Sequence, residues 1–144
     1  MEGGGAACAT KVFVYGTLRK GFHNHHLYMR SEHVRFVSSA HTVDQYALVV
    51  GRWPFLLRRP THEKHSRTHI SGELYEVTNA DVKAQLDELE EGYEALVVKV
   101  KANDEIVEAL VYFGDDMASK EPLEDLHHIP NGDLATFEHA KAYK

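Results

Sequence analysis

Val12-Phe13-Val14-Tyr15-Gly16-Thr17-Leu18 is an apolar, β-branched and aromatic run that meets a glycine and passes directly into Arg19-Lys20-Gly21. A continuous apolar run of this kind predicts a buried strand, and Gly16 permits a backbone conformation or a close ligand approach that a side chain would block. Backbone N–H groups beyond the strand end are then available to an anion or a polarised carbonyl. Strand, turn and basic loop is a site-building order. Most such junctions are simple turns, so the weight of the reading rests on what the downstream chain supplies.

A chain of 144 residues suits one compact domain, expected over residues 11–144, preceded by a flexible tail over residues 1–10. The tail carries Gly3, Gly4 and Gly5 but neither a basic lead nor a long apolar segment, so it does not read as a signal peptide. Hydrophobic residues at 43% and charged residues at 26% match soluble globular proteins and exclude global disorder. With 16 Lys+Arg against 22 Asp+Glu, the net charge of -6 opposes a polyanion-binding surface, so nucleic acid is not an expected partner. Cys8 is the single cysteine, which rules out an intrachain disulfide and fits a reducing compartment. No apolar run reaches membrane-spanning length, Glu2 excludes the usual myristoylation start, and the Ala-Tyr-Lys end has no prenylation cysteine. The expectation is a cytoplasmic protein with no membrane partner.

Downstream, residues 19–30 read as a polar loop leading into a short helix. His23, His25 and His26 lie close together there, but no Cys pair or HExxH pattern accompanies them, so no metal site is expected. Val34–Val37 and Thr42–Val50 are β-prone, and Gly51-Arg52-Trp53-Pro54 interrupts the pattern before Phe55-Leu56-Leu57. Pro54 cannot donate to a ladder, which places its segment at a sheet edge or across a mouth. Trp53 and Phe55 read as core or as the wall of a pocket. Ile70–Val77 alternates as a half-buried strand does, Thr78 or Asn79 can cap a following helix, and Gly92 can end it. Ala95–Lys101 and Ile106–Phe113 flank the turn-like Ala102-Asn103-Asp104-Glu105 and should pair as a hairpin. Beyond Gly114 the chain reads as irregular up to a terminal helix over Ala135–Tyr143.

The predicted helix, Asp81–Glu91, gathers Asp87, Glu88, Glu90 and Glu91 at its C-terminal end, where the macrodipole disfavours negative charge. At about 100° per residue, Val82, Leu86 and Leu89 form one apolar stripe. Glu90 lies about 70° from its centre, Asp87 and Glu88 about 130°, and Glu91 about 170°. Glu90 is thus the carboxylate nearest the interior. Desolvation and the negative helix end should raise its proton affinity toward the range a general acid–base group requires, unless it snorkels to water or pairs with a cation.

Taken together, Tyr15-Gly16-Thr17-Leu18-Arg19 with Gly21, Trp53-Pro54, Gly72-Glu73-Leu74-Tyr75-Glu76-Val77, Leu86-Asp87-Glu88-Leu89-Glu90-Glu91-Gly92-Tyr93 and the late Gly132-Asp133 resemble the gamma-glutamyl cyclotransferase superfamily, and in particular its short gamma-glutamylamine cyclotransferase-like branch. The resemblance implies an α+β fold, a small mixed β-barrel with flanking helices. It also implies that Tyr15, Gly16, Thr17 and Leu18 form the substrate loop and that Glu90 is the catalytic residue. The implied reaction is intramolecular aminolysis: the free α-amine of a γ-glutamyl compound attacks its own γ-carbonyl, giving 5-oxoproline and a free amine or amino acid. It needs no metal, nucleotide or other cofactor, and its partner is a small-molecule γ-glutamyl substrate. Two departures bear on pocket shape. Many relatives carry Tyr-x-Arg after the glutamate, where this chain has Tyr93-Glu94-Ala95, and tryptophan often follows the Gly-Asp pair, where Leu134 stands here. Arg19 or Arg58 could supply the missing charge. A nonenzymatic small-acid binding module retaining the same cavity is the alternative function, and oligomeric state is not readable.

Overall fold

The computed structural model describes residues 10–16, 18–20, 25, 29, 32–59 and 66–134. The expected terminal helix, the glycine-rich segment 1–9, Thr17, His23 and His26 lie outside the described residues.

Five strands close a barrel: β1 (Thr10–Val14), β2 (Val34–Thr42), and, after two shorter strands, β5 (Ser71–Val77), β6 (Glu94–Ala102) and β7 (Glu105–Phe113), in the order β1-β5-β2-β6-β7. Closure is made by β1, which pairs antiparallel with β5 (Val14↔Glu73) and parallel with β7 (Val12↔Leu110). This central place explains its unbroken apolar sequence. Phe13 faces the barrel core with Leu74, Val100, Val111 and Phe113, while Val12 and Val14 face outward into a second cluster with Tyr75, Val77, Leu86 and Tyr112. A strand covered on both faces has no polar face to alternate with. β5 shows the same feature at Leu74 and Tyr75, adjacent residues that are both buried on opposite faces.

The β6–β7 hairpin turns on Asn103 and Asp104, with φ of 52° and 63°. Positive φ at both central residues is the two-residue turn that suits strand twist, and Asn and Asp tolerate it better than other side chains. The expected pairing is therefore found, extended by one residue in each strand at the turn, to Ala102 and Glu105, and by Glu94 at the outer end of β6.

β3 (Ala47–Val50) and β4 (Pro54–Leu57) form a small sheet with β8 (His127–His128), in the order β4-β3-β8. Pro54 opens an edge strand, as its missing N–H requires. Two expected boundaries are corrected here. β2 runs through to Thr42 with a register shift between Phe36 and Ser38, and the chain then breaks before β3 instead of continuing from Thr42 to Val50. The buried Thr42 hydroxyl causes that break: it donates to the Asp44 carbonyl at 2.7 Å and accepts from the Ile70 N–H at 2.9 Å, giving the backbone a local alternative to the ladder.

Helix α1 (Ala80–Leu89) starts at the Asn79 cap, whose side chain accepts from the Asp81 and Val82 N–H groups. It buries Leu86 against β1 and β5. Its end differs from the expected Glu91. Glu90 is the C-cap, with φ −94° and ψ 25°, and Gly92 at φ +93° turns the chain into β6. The segment expected to be irregular contains α2 (Asp115–Ala118), a 3-10 turn (Leu123–Asp125) and β8. No helix among the described residues is long and apolar enough to cross a membrane.

Candidate active site

The ends of β1 and β7, the start of β5 and the last turn of α1 converge at one end of the barrel. The loop that leaves β1 there is anchored by the side chains that flank its tip. Tyr15 turns inward, and its hydroxyl donates to the Tyr112 carbonyl at 2.7 Å and accepts from the Leu56 N–H at 3.2 Å. Burial, reinforced by the negative charge potential of Tyr93 and Glu90, pushes its phenol well above the ordinary range, so it stays neutral. Leu18 packs on the opposite side with Met29, Tyr75 and Leu86. Of the residues expected to form the substrate loop, Tyr15 and Leu18 thus commit their side chains to the fold and leave backbone on display, and Thr17 lies outside the described residues.

Gly16 accepts the Arg19 N–H at 3.0 Å, which makes the turn. Its φ is not positive, and a Cβ placed on it would lie 3.6 Å from Pro54, an ordinary contact. The turn itself would therefore tolerate alanine. What the glycine provides is open space beside Pro54. No described group accepts a hydrogen bond from the Gly16 or Leu18 N–H.

Two carboxylates fasten the outer side of the loop. Asp133 takes the Arg19 guanidinium at 2.7 Å, and Glu73 accepts from the Lys20 N–H at 2.9 Å while also accepting from the Tyr75 hydroxyl at 2.8 Å. His25 Nδ1 lies 3.0 Å from the Leu18 carbonyl, which fixes that nitrogen as the donor. Arg19 is therefore committed to Asp133, and Arg58 has its guanidinium 4.0 Å from Glu94, so each of the two arginines expected to offer a spare charge has an acidic partner.

Glu90 sits across from this loop. Its N–H donates to Leu86 at 3.0 Å and its carbonyl accepts from Tyr93 at 2.9 Å, which holds the capping turn rigidly. Burial pushes its carboxyl up to about 7. Asp87, Glu88 and Glu91 are exposed, so the interior ranking read from the helical wheel holds. The carboxylate and the loop are neighbours: the charge of Glu90 raises the phenols of both Tyr15 and Tyr112. Pro54 lies beside the space at Gly16, and its carbonyl accepts the Tyr93 hydroxyl at 2.9 Å. Trp53, at 45% exposure, lies outside the core, whereas Phe55 is fully buried in it.

One arrangement was not legible beforehand. Tyr112 donates to Asp87 at 2.7 Å, and Lys83 reaches the other Asp87 oxygen at 2.6 Å. Burial pushes the Asp87 carboxyl up, but these two donors outweigh it and hold the group below the usual carboxylate range. The Tyr112 bond ties the C-terminal half of α1 to β7, and Lys83 holds Asp87 in place from within the helix. An adjoining cleft of about 950 Å³ is lined by Leu57, Arg58, Tyr93, Glu94 and Asp115 among others, but not by Glu90 or the loop.

Such a site can hold an anionic or carbonyl group on backbone donors and present it to a carboxyl that exchanges a proton near neutrality. Comparisons with known proteins show the family of the chain. The family model of gamma-glutamyl cyclotransferase, AIG2-like, matches residues 12–136. A Drosophila melanogaster protein provisionally named a gamma-glutamylcyclotransferase is 36% identical over 136 residues, covering 85% of this chain and 83% of its own. Gammaglutamylaminecyclotransferase A of Danio rerio is 35% identical over 117 residues, covering 74% of this chain and 70% of its own. The crystal structure of an AIG2-like protein from Mus musculus superposes with a TM-score of 0.68 at 25% identity, covering 88% of this chain and 89% of that one. The chain belongs to the AIG2-like gamma-glutamyl cyclotransferase family and is an enzyme of gamma-glutamyl cyclotransferase type.

Proposed function

We propose that the protein converts a γ-glutamylamine to 5-oxoproline and a free amine, with Glu90 as the general acid and base. The α-nitrogen of the substrate attacks its own γ-carbonyl, a C–N bond closes the five-membered lactam, and the original amide C–N bond breaks to release the amine. Both reacting groups belong to one molecule, so folding the substrate into attack geometry supplies much of the rate. Glu90 takes a proton from the α-ammonium and returns one to the leaving nitrogen. Backbone N–H groups of the loop over residues 16–18 hold the substrate carboxylate or the developing oxyanion, and donors of the latter kind are worth about 3 kcal/mol each. The carrying observation is the Glu90 carboxyl, pushed by burial to about 7, on the side of the barrel where the Gly16 and Leu18 N–H groups have no acceptor among the described residues. A carboxyl at that value is divided between both protonation states at neutral pH, as a group that must act in both directions requires. The likeness to the Danio rerio gammaglutamylaminecyclotransferase supports an amine as the leaving group.

The test is 5-oxoproline release, followed by mass spectrometry, from γ-glutamyl-ε-lysine, γ-glutamyl-alanine and glutathione. Release from the γ-glutamylamine that disappears in Glu90→Gln supports both the reaction and the residue. Turnover retained in Glu90→Gln removes Glu90 from the role, and binding of all three without release would make the protein a small-acid binding module.

A further inference from the structure

The loop after β1 has no strand partner beyond the Val14↔Glu73 pair, yet its donors must be held to a fraction of an ångström to favour a transition state. We propose that Glu73 and Asp133 are positioning residues for this reaction, Glu73 acting through the Lys20 N–H and Asp133 through Arg19 to hold the loop in substrate-binding geometry. The inference rests on the assignment of that loop to the substrate.

Three observations carry it. The two carboxylates come from separate parts of the chain, β5 and the turn after β8, and both act on consecutive loop residues, Arg19 and Lys20. Asp133 is itself placed by its neighbours: its N–H donates to the Asn131 side chain at 3.1 Å, and the preceding Gly132, at φ +70°, would bring a Cβ within 2.4 Å of the His69 carbonyl. That close packing fixes the turn against the chain entering β5, so the Arg19 anchor is rigid at its far end. Finally, Arg19 is only 14% exposed, and its Nε–H is buried with no acceptor. An unsatisfied buried donor is destabilising. A side chain kept at that cost is poorly explained as a stabilising ion pair and well explained as a brace for the loop.

Neither carboxylate is among the groups that shift Glu90, so the brace acts on substrate geometry and leaves the proton-transfer group alone. That separation gives the test its discrimination. Glu73→Ala and Asp133→Ala are made singly in the full chain and compared with the unmodified protein by steady-state kinetics across pH, by titration with L-5-oxoproline, and by backbone amide NMR relaxation. The expected result is a loss in kcat/KM on the order of 10- to 100-fold, weaker 5-oxoproline binding, and lower order at the Gly16 and Leu18 amides. The acid limb of the pH profile should stay in place, and the Val12 and Val111 amides in the barrel should be unchanged. The inference is overturned if both variants keep kcat/KM, affinity and loop order, or if order falls equally at the barrel amides. Failure of the unmodified protein to turn over any γ-glutamyl compound would count against the proposed reaction instead, and the relaxation data would still decide whether the two carboxylates hold the loop.

Discussion

Glu90→Gln should stabilise the protein at alkaline pH while ending turnover. The carboxyl lies at 4.5 in an unperturbed chain and at about 7 in the fold. A folded value above the unfolded one means that the native state holds its proton more tightly. The contribution of this group to stability is therefore complete below pH 4.5 and is lost as pH rises through about 7. The displacement corresponds to about 3 kcal/mol between the two ends of that window. Glutamine keeps the shape and removes the charge, so the variant and the unmodified protein should match in stability near pH 4.5 and diverge by up to about 3 kcal/mol by pH 8. For a domain of this size that is on the order of 10 °C in Tm at the alkaline end. Urea unfolding at half-unit steps from pH 4.5 to 8.5 reads the difference directly. A stability difference that stays constant across the range, or one that shrinks as pH rises, would refute the assignment of a buried carboxyl titrating near neutrality. It would take the acid–base argument with it, because both depend on the same desolvation.

The same carboxyl predicts that kcat/KM falls about tenfold per pH unit below about 7 as the general base is protonated, with a pH–rate profile as the check. Gly16→Ala adds a methyl group at ordinary contact distance from Pro54, so Tm should hold within about 2 °C while KM rises, which calorimetry and kinetics measure together. Tyr112→Phe removes one of the two donors to Asp87 and should cost about 1.5–3 kcal/mol at neutral pH by urea unfolding. Because Asp87 is held below its ordinary value of 3.8, the stability it contributes is present above that pH and lost as pH falls through its folded value, so the penalty in Tyr112→Phe should shrink in strong acid.

How much of this was readable from residues alone depended on the range of the interaction. β1, β5 and the β6–β7 hairpin announce themselves through local pattern: a run buried on both faces, an alternation, and an Asn-Asp turn. The break after Thr42 does not, because the acceptor role of its hydroxyl depends on Ile70, which the fold brings alongside. β8 is two histidines long and exists only because Val49 and Val50 present a ladder to it. The site divides in the same way. Loop and glutamate were visible as motifs, and Gly132-Asp133 was visible as a pair without a purpose. The purpose lies 114 residues away in Arg19, a separation that no spacing rule reaches.

Glu90 shows how a sound inference can rest partly on a wrong element. The helical wheel placed it nearest the interior on the assumption that the helix continues to Glu91, whereas the helix stops at Leu89. The ranking survives because the preceding turn, anchored by Leu86 against the barrel, sets the direction in which residue 90 leaves. The cap position keeps the carboxylate beside the last carbonyls of α1, the negative end of the helix, whatever its own φ and ψ. Burial raises the carboxyl, and burial is a property of what surrounds the cap. Tyr15 and Tyr112 lie close enough to feel the Glu90 charge, and each uses its hydroxyl on a carbonyl or carboxylate other than Glu90. An environment of phenols already engaged elsewhere desolvates a carboxylate without stabilising its charge, which is the condition for a glutamate that titrates near neutral pH.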